Sequence, residues 1–328
     1  MIAKLERLAG HGNNSPQIWA LSDGRAGNAR QAEALAAALG GPTRTLQLAP
    51  RAPWRWAAPR ALPGARAAFG SGFGDDQATP PSLAIGCGRQ AALATRLLRR
   101  CGAAAVQILD PRIDPRHWDV VVVPEHDGLD GPNVVQLLGS LHPVDDDWLS
   151  RARAQFPQFA LLPGPRTALL LGGPTGNAPF DAAGLEAVLD RLERLRAAEG
   201  GSVLATVSRR TPPALAARLR QRLASVPGLC WTGTQDGANP YPGLLAWADR
   251  IVCSPDSVNM VSEACATGAP VHVFDRDRCR GRIRRFLDVL DARGRLGPLE
   301  ASAGGIVPLR ETRRVSDEIR ARLGLGTG

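Results

Sequence analysis

Residues 248–274 read ADRIVCSPDSVNMVSEACATGAPVHVF, and this stretch spells out one complete strand–helix–strand unit. Ile251 to Cys253 is a short apolar run with β-branched residues, the pattern of a strand buried on both faces. Ser254, Pro255, Asp256 and Ser257 form a polar turn in which Asp256 or Ser257 caps the helix that follows. The helix is expected to end at Gly268, a C′ glycine, with Pro270 just beyond it. Val271 to Phe274 is the next strand. Val261, Ala264, Cys265 and Gly268 share one helical face, and Asn259, Ser262 and Glu263 share another. A crossover helix needs only one face for its sheet. The second face starts at the carboxyl end of a strand, where open parallel sheets bind ligands. There Glu263 suits ribose hydroxyls while the positive helix N-terminus faces a phosphate. The plainer alternative makes Ser262 and Glu263 solvated surface residues.

Working outward, the same unit recurs through the chain. In the first half, strands are expected at 17–21, 43–48, 83–85, 105–109, 120–123 and 133–138, with helices at 29–39, 89–100 and 146–156. In the second, strands at 168–171, 203–207 and 229–231 join the two already described. Asp181 caps a helix whose Leu185, Val188, Leu189, Leu192 and Leu195 form one apolar stripe. Thr211 is expected to cap the next helix, with Pro212 at its first position. Residues 157–165 (PQFALLPGP) read as a linker. A last helix at 311–323 carries Val315, Ile319 and Leu323 at i+4 spacing. Residues 1–16 read as a loose leader, and 50–80 as the least regular stretch. Trp54 and Trp56, set between arginines, either pack on their own domain or touch a membrane interface or partner. For 328 residues two domains are the natural division. The expected fold is α/β, with two Rossmann-like, doubly wound domains facing a cleft: residues 1–160, then 161–305, then a terminal segment, 306–328.

Hydrophobic residues at 44% and charged residues at 22% allow a sizeable core. The net charge is +9, and Lys4 is the one lysine. The arginines are spread along the chain and aromatics are only 5%, which gives little basis for stacking nucleic-acid bases. Phosphate-bearing small ligands or an anionic membrane surface fit the charge better than nucleic acid. The six cysteines form no CxxC pair and no Cys/His ligand spacing, so no metal is expected and a reducing compartment is. Neither an apolar run of about 20 residues nor a signal-peptide core is present. The expected location is cytoplasmic, at most peripheral on a membrane.

Two strand-to-helix turns, SDGRAGN at 22–28 and GGPTGN at 172–177, are of the kind that sets backbone N–H groups around phosphate oxygens. Neither is a Walker loop, because GK[ST] is missing. Ser208-Arg209-Arg210-Thr211 sets two guanidinium groups at a strand end, which suits phosphate or carboxylate. Gly86-Cys87-Gly88-Arg89-Gln90-Ala91 fits G-x-G-x-x-A, with Asp110 ending the next strand as a ribose-binding acid would. That pattern supports an NAD(P)-dependent oxidoreductase, although its loop follows the third strand and not the first. Pro124-Glu125-His126-Asp127 offers a general base or a histidine held structurally by its neighbouring acid, and His142 is a second candidate.

Taken in order, WALSDGRAGNARQAEALAAALG, IGCGRQAA, VVVPEHDG, SRRTP, ANPYPGLLAWAD and SPDSVNMVSEACATGAPVHVF resemble the family named for the plant mitochondrial fission protein ELM ("elongated mitochondria"), in a bacterial member. The resemblance runs over about residues 17–310. More distantly, the family is similar to GT-B glycosyltransferases that move a sugar from a UDP donor to a lipid-linked acceptor. The resemblance implies a donor site in the C-terminal domain and a last helix returning to the first domain. Gly172, Gly173, Thr175 and Ser257 would then face the donor diphosphate, and Glu263 the ribose. Asn239 and Tyr241 would border the base or sugar. Ser22 to Asn28, with Gly24, Arg25, Gly27 and Asn28, would form the acceptor-side loop. Such transferases bind a nucleotide-sugar as co-substrate and no tightly held cofactor. Where they carry a catalytic histidine in that loop, this chain has Asp23 and Arg25, so Asp23 or His126 takes its place or catalysis is lost. Plant members are tied to recruiting a dynamin-like protein, so a binding or scaffold role stands beside the enzyme.

Overall fold

Strand and helix alternate to build two parallel sheets, each in its own unit. The structure, a computed structural model, describes residues 17–70, Phe73, 79–301 and 304–325. The leader expected at 1–16 lies outside the described residues, as do 71–72 and 74–78 of the irregular stretch. In the first unit the elements are β1 (Ile18–Ser22), α1 (Ala26–Leu39), β2 (Thr43–Gln47), the single turn α2 (Trp54–Ala57), β3 (Leu83–Cys87), α3 (Arg89–Arg100), β4 (Ala104–Ile108), β5 (Val120–Pro124) and β6 (Val134–Leu137). The sheet order is β2-β1-β3-β4-β5-β6, and Ile18 pairs with Thr43 on one side and Leu83 on the other. Every residue of β1, β3, β4 and β5 is buried. Ile18 and Ala20 enter the core under α1, while Trp19 and Leu21 enter the core under α3. Helices on both faces are why these strands read as unbroken apolar runs.

The second unit, Val144–Arg310, begins with α4 (Asp146–Gln155) and continues through β7 (Arg166–Leu171), α5 (Ala182–Glu199), β8 (Ser202–Val207), α6 (Pro213–Leu223), β9 (Gly228–Trp231), α7 (Tyr241–Trp247), β10 (Arg250–Cys253), α8 (Val258–Cys265), β11 (Val271–Val273) and α9 (Gly281–Ala292). Its sheet order is β11-β10-β7-β8-β9. Asp181 caps α5 through the Gly184 amide at 3.0 Å, and Leu185, Val188, Leu189 and Leu192 are buried beneath it.

Three local expectations give way to tertiary contacts. Helix α8 stops at Cys265 and does not run to Gly268. The Arg295 guanidinium takes the carbonyls of Cys265 (2.8 Å) and Thr267 (3.3 Å), ending the helix from outside its own sequence. Thr211 does not cap α6; Pro212 holds that position. The Thr211 hydroxyl instead donates to the Gly172 carbonyl at 2.6 Å, tying the end of β8 to the end of β7. Residues 157–165 are no open linker. Phe156 and Phe159 stack at 5.6 Å, both buried, and Arg166 donates to the Phe159 carbonyl at 2.9 Å.

The chain therefore divides at Pro143/Val144, not at 160/161. Helix α4 lies on α7, with Arg153 donating to the Ala246 carbonyl at 2.9 Å. The second division comes at Arg310/Glu311, not at 305/306, and Arg310 is held by Asp146 at 2.7 Å. The last helix, α10 (Glu311–Leu323), belongs to the first unit. Its Val315, Ile319 and Leu323 join the core under α1, and Arg320 takes the last carbonyls of α1, Ala38 and Leu39, at 3.0 and 2.6 Å. A cation on a helix C-terminus satisfies carbonyls that have no partner within the helix.

Candidate functional site

In the second unit β8 and β9 extend from β7 on one side while β10 and β11 extend on the other. The order reverses between β7 and β10, the place where open parallel sheets leave a crevice at their carboxyl edge. Three turns meet there. The Ser254 hydroxyl, after β10, accepts the Gly172 amide at 2.7 Å and donates to Asp256 Oδ1 at 2.7 Å. Asp256 Oδ2 accepts the Gly173 amide at 3.1 Å and the Arg210 guanidinium at 2.7 Å, the latter from the turn after β8. The Asp256 side chain is wholly buried, while Arg210 is mostly exposed. The glycines are required by this close approach. A Cβ on Gly172 would stand 2.1 Å from Asp256 Oδ1, and one on Gly173 2.3 Å from the Arg210 carbonyl.

This geometry corrects the expectation that the two glycine amides lie open to a phosphate, because both are spent inside the protein. What remains at the edge is different. Ser208 accepts the Arg210 amide at 3.1 Å and so shapes the turn. Arg209 is exposed and, among the described residues, has no hydrogen-bond or ion-pair partner. Thr175 is exposed in a tight turn closed on Ala178, whose amide its hydroxyl accepts at 3.1 Å.

Of the two possible caps, Ser257 caps α8 through the Met260 amide at 3.3 Å, and Asp256 turns inward. Ser262 and Glu263 are 1% and 2% exposed, which rules out the reading of a solvated face. The Tyr241 hydroxyl donates to Glu263 Oε2 at 2.6 Å, and Asn239 Oδ1 accepts the Tyr241 amide at 3.1 Å. Gly172, Gly173, Ser208, Arg210 and Asp256 thus form one knot. Asn239, Tyr241 and Glu263 form a second group, which reaches α8 through Glu263. Ser254 and Thr211 join the knot unforeseen, because their partners at Gly172 lie 82 and 39 residues away.

The first unit reverses between β1 and β3, and a polar group gathers at that point too. Asp23 Oδ1 accepts Asn28 Nδ2 at 2.9 Å and the Arg25 amide at 3.2 Å. Gly88, after β3, has φ +88°, and a Cβ there would stand 2.6 Å from Asn28 Nδ2. Gly24 has φ +77° and lies against the Gln47 side chain; Gly27 lies in the first turn of α1. Cys87 is wholly buried, and burial, reinforced by the Asp23 charge, pushes its thiol up, away from thiolate. His126 follows β5, three strands from β1, which at ordinary strand spacing is about 14 Å. Asp23 and His126 thus leave the sheet from strands three places apart. The dinucleotide pattern has structural duties here. Gly86 lies within β3 against Thr95 and Gln107, and Asp110 is held by Arg112 at 3.1 Å.

Two parallel, doubly wound units, each with a polar group at its reversal, define a GT-B-like protein. The fold matches UDP-GlcNAc 2-epimerase from Methanocaldococcus jannaschii with a TM-score of 0.56 at 12% identity, over 94% of this chain and 99% of that one. The chain belongs to the family described as Mitochondrial fission ELM1, whose profile matches residues 26–323. It is 30% identical to Mitochondrial fission protein ELM1 of Arabidopsis thaliana over 74% of this chain and 64% of that protein, so it spans under two thirds of that relative's length. An uncharacterized protein of Rickettsia prowazekii is 25% identical over 78% of this chain and 82% of its own. Among the described residues no helix is long and apolar enough to cross a membrane.

Proposed function

We propose that the second unit binds a nucleotide-sugar of the UDP type at the reversal between β7 and β10, and that the protein transfers the sugar to an acceptor, a lipid-linked one included. The observation that carries this reading is the Asp256 knot, which fixes three turns at the carboxyl edge, among them the turn after β8 where Arg209 has no hydrogen-bond or ion-pair partner among the described residues. A diphosphate would take Arg209 and the capped N-terminus of α8, with Thr175 and Ser257 at its border. Gly172, Gly173, Ser208 and Arg210 hold the shape. Glu263, with Tyr241, Asn239 and Ser262, would meet the nucleoside. Stabilising the charge that develops on a leaving diphosphate is work that fixed cations and amide dipoles do. Asp23, with Gly24, Arg25, Gly27 and Asn28, would face the acceptor, and Asp23 or His126 would accept its proton. A second reading, a GT-B-shaped binding or scaffold protein, rests on Asp23 already accepting two donors and on the distance of His126.

Thermal melting with UDP, GDP, UDP-sugars and NAD(H) tests the binding step. A ligand at one hundred times its Kd stabilises by about 2.7 kcal/mol. UDP-sugars should give that response, and Arg209→Ala should abolish it while leaving the ligand-free melt unchanged. A response to NAD(H) alone would replace this reading with an oxidoreductase. Binding without release of free sugar or transfer to any acceptor would favour the scaffold.

A further inference from the structure

At the opposite edge of the first sheet, the last turns of α3 carry Arg96, Arg99 and Arg100, and the turn before β5 carries His117. These four side chains line a pocket of about 330 Å³. Among the described residues two acids stand nearby, one of them on the pocket's own Arg99. Asp119 holds Arg99 at 3.1 Å and Asp114 holds Arg116 at 2.6 Å. Among the described residues neither Arg96 nor Arg100 has a carboxylate partner. Arg96 donates one Nη to the Pro59 carbonyl at 3.2 Å, and its Nε is buried with no hydrogen-bond partner among the described residues. A helix C-terminus supplies about half a negative charge, too little to balance two guanidinium groups that no carboxylate holds among the described residues, beside a histidine. The electrostatics agree. Burial, then the Arg100 charge, holds the Arg96 pKa below its usual value, and burial, then Arg96, lowers that of His117. Such a cluster of like charges offers an anion several donors at once.

From this geometry we infer that the Arg96–Arg99–Arg100–His117 pocket is a binding site for a phosphate group, separate from the carboxyl-edge sites. Guanidinium forks suit the planar pairs of oxygens on a phosphate, and the volume admits a phosphorylated small molecule. The phosphate can belong to a soluble metabolite or to a lipid head group. The lipid source has its own support, since Trp56, 66% exposed, and Leu62 flank Pro59 in sequence.

The test uses the full chain and Arg100→Glu, an exposed position whose substitution should leave the ligand-free melt and the UDP-sugar response unchanged. Pyrophosphate binding is read by calorimetry in an Arg209→Ala background, which silences the candidate donor site. Sedimentation with phosphatidylcholine vesicles, with and without one-fifth phosphatidic acid, reads the lipid source. The expected result is binding in one of the two arms that Arg100→Glu weakens about tenfold or more. Pyrophosphate binding assigns a soluble ligand, and retention on phosphatidic acid alone assigns a lipid one. No binding in either arm, or binding that Arg100→Glu leaves intact, overturns the site. His117→Gln, which keeps a polar side chain of similar reach, should weaken the same arm; an unchanged affinity would also count against it.

Discussion

Asp256 ties three turns of the candidate site together. One buried carboxylate accepts the Gly173 amide, the Ser254 hydroxyl and the Arg210 guanidinium. Asp256→Asn puts an NH2 group where donors already point, and should lower stability by about 2–3 kcal/mol, read by urea unfolding. Arg210→Ala should cost less, because most of that side chain is in water and two donors to Asp256 remain. Equal losses would mean the ion pair, and not the Gly173 and Ser254 donors, holds the knot. Gly172→Ala should resemble Asp256→Asn, since its methyl group would displace the same carboxylate. The sequence shows glycines here but not why. A glycine in a turn usually means a free dihedral, whereas these two are excluded volume set by residues far along the chain.

At the scale of elements, α8 is anchored at both ends by groups the sequence treats differently. Its N-terminus follows local rules, and Ser257→Ala should cost about 1 kcal/mol. Its C-terminus is set by Arg295, thirty residues on, which no local pattern announces. The helix is joined to α7 by the bond from Tyr241 to Glu263. Tyr241→Phe leaves a buried carboxylate short of one donor and should destabilise by about 1–3 kcal/mol. Glu263→Gln should do so too. A double-mutant cycle that shows no coupling between the two positions would remove Glu263 as the link between these helices. The sequence reading places no helix where α9 lies: Ile283, Phe286, Leu287 and Leu290 are buried at i, i+3, i+4 and i+7, but the arginines set among them hide that stripe. Helix α7 is missed as well, because seven residues hold barely two turns.

At the scale of the whole molecule, the first unit is completed by the end of the chain. Ile319 of α10 is wholly buried in the core under α1, so Ile319→Ala should cost about 2–5 kcal/mol and Ile319→Val about 0.5–1.5. Denaturant unfolding measures both, and a cost of Ile319→Ala near zero would show that α10 is not part of that core. The sequence by itself determined the alternation of strand and helix, the parallel α/β class and the two polar turns, because each follows from local periodicity and turn chemistry. It also carried the family, through motifs spread along its length. Only the tertiary structure decided the strand orders, and with them the two reversals where Asp23 and Asn28 meet Gly88 and where Gly172 and Gly173 meet Asp256. It alone placed α4 with the second unit and gave the faces by which α10, whose return to the first domain the resemblance implied, packs in the first, since both rest on which apolar faces fit together. Strand order and helix docking are set by packing between segments remote in sequence, and periodicity within a segment carries no record of its partner.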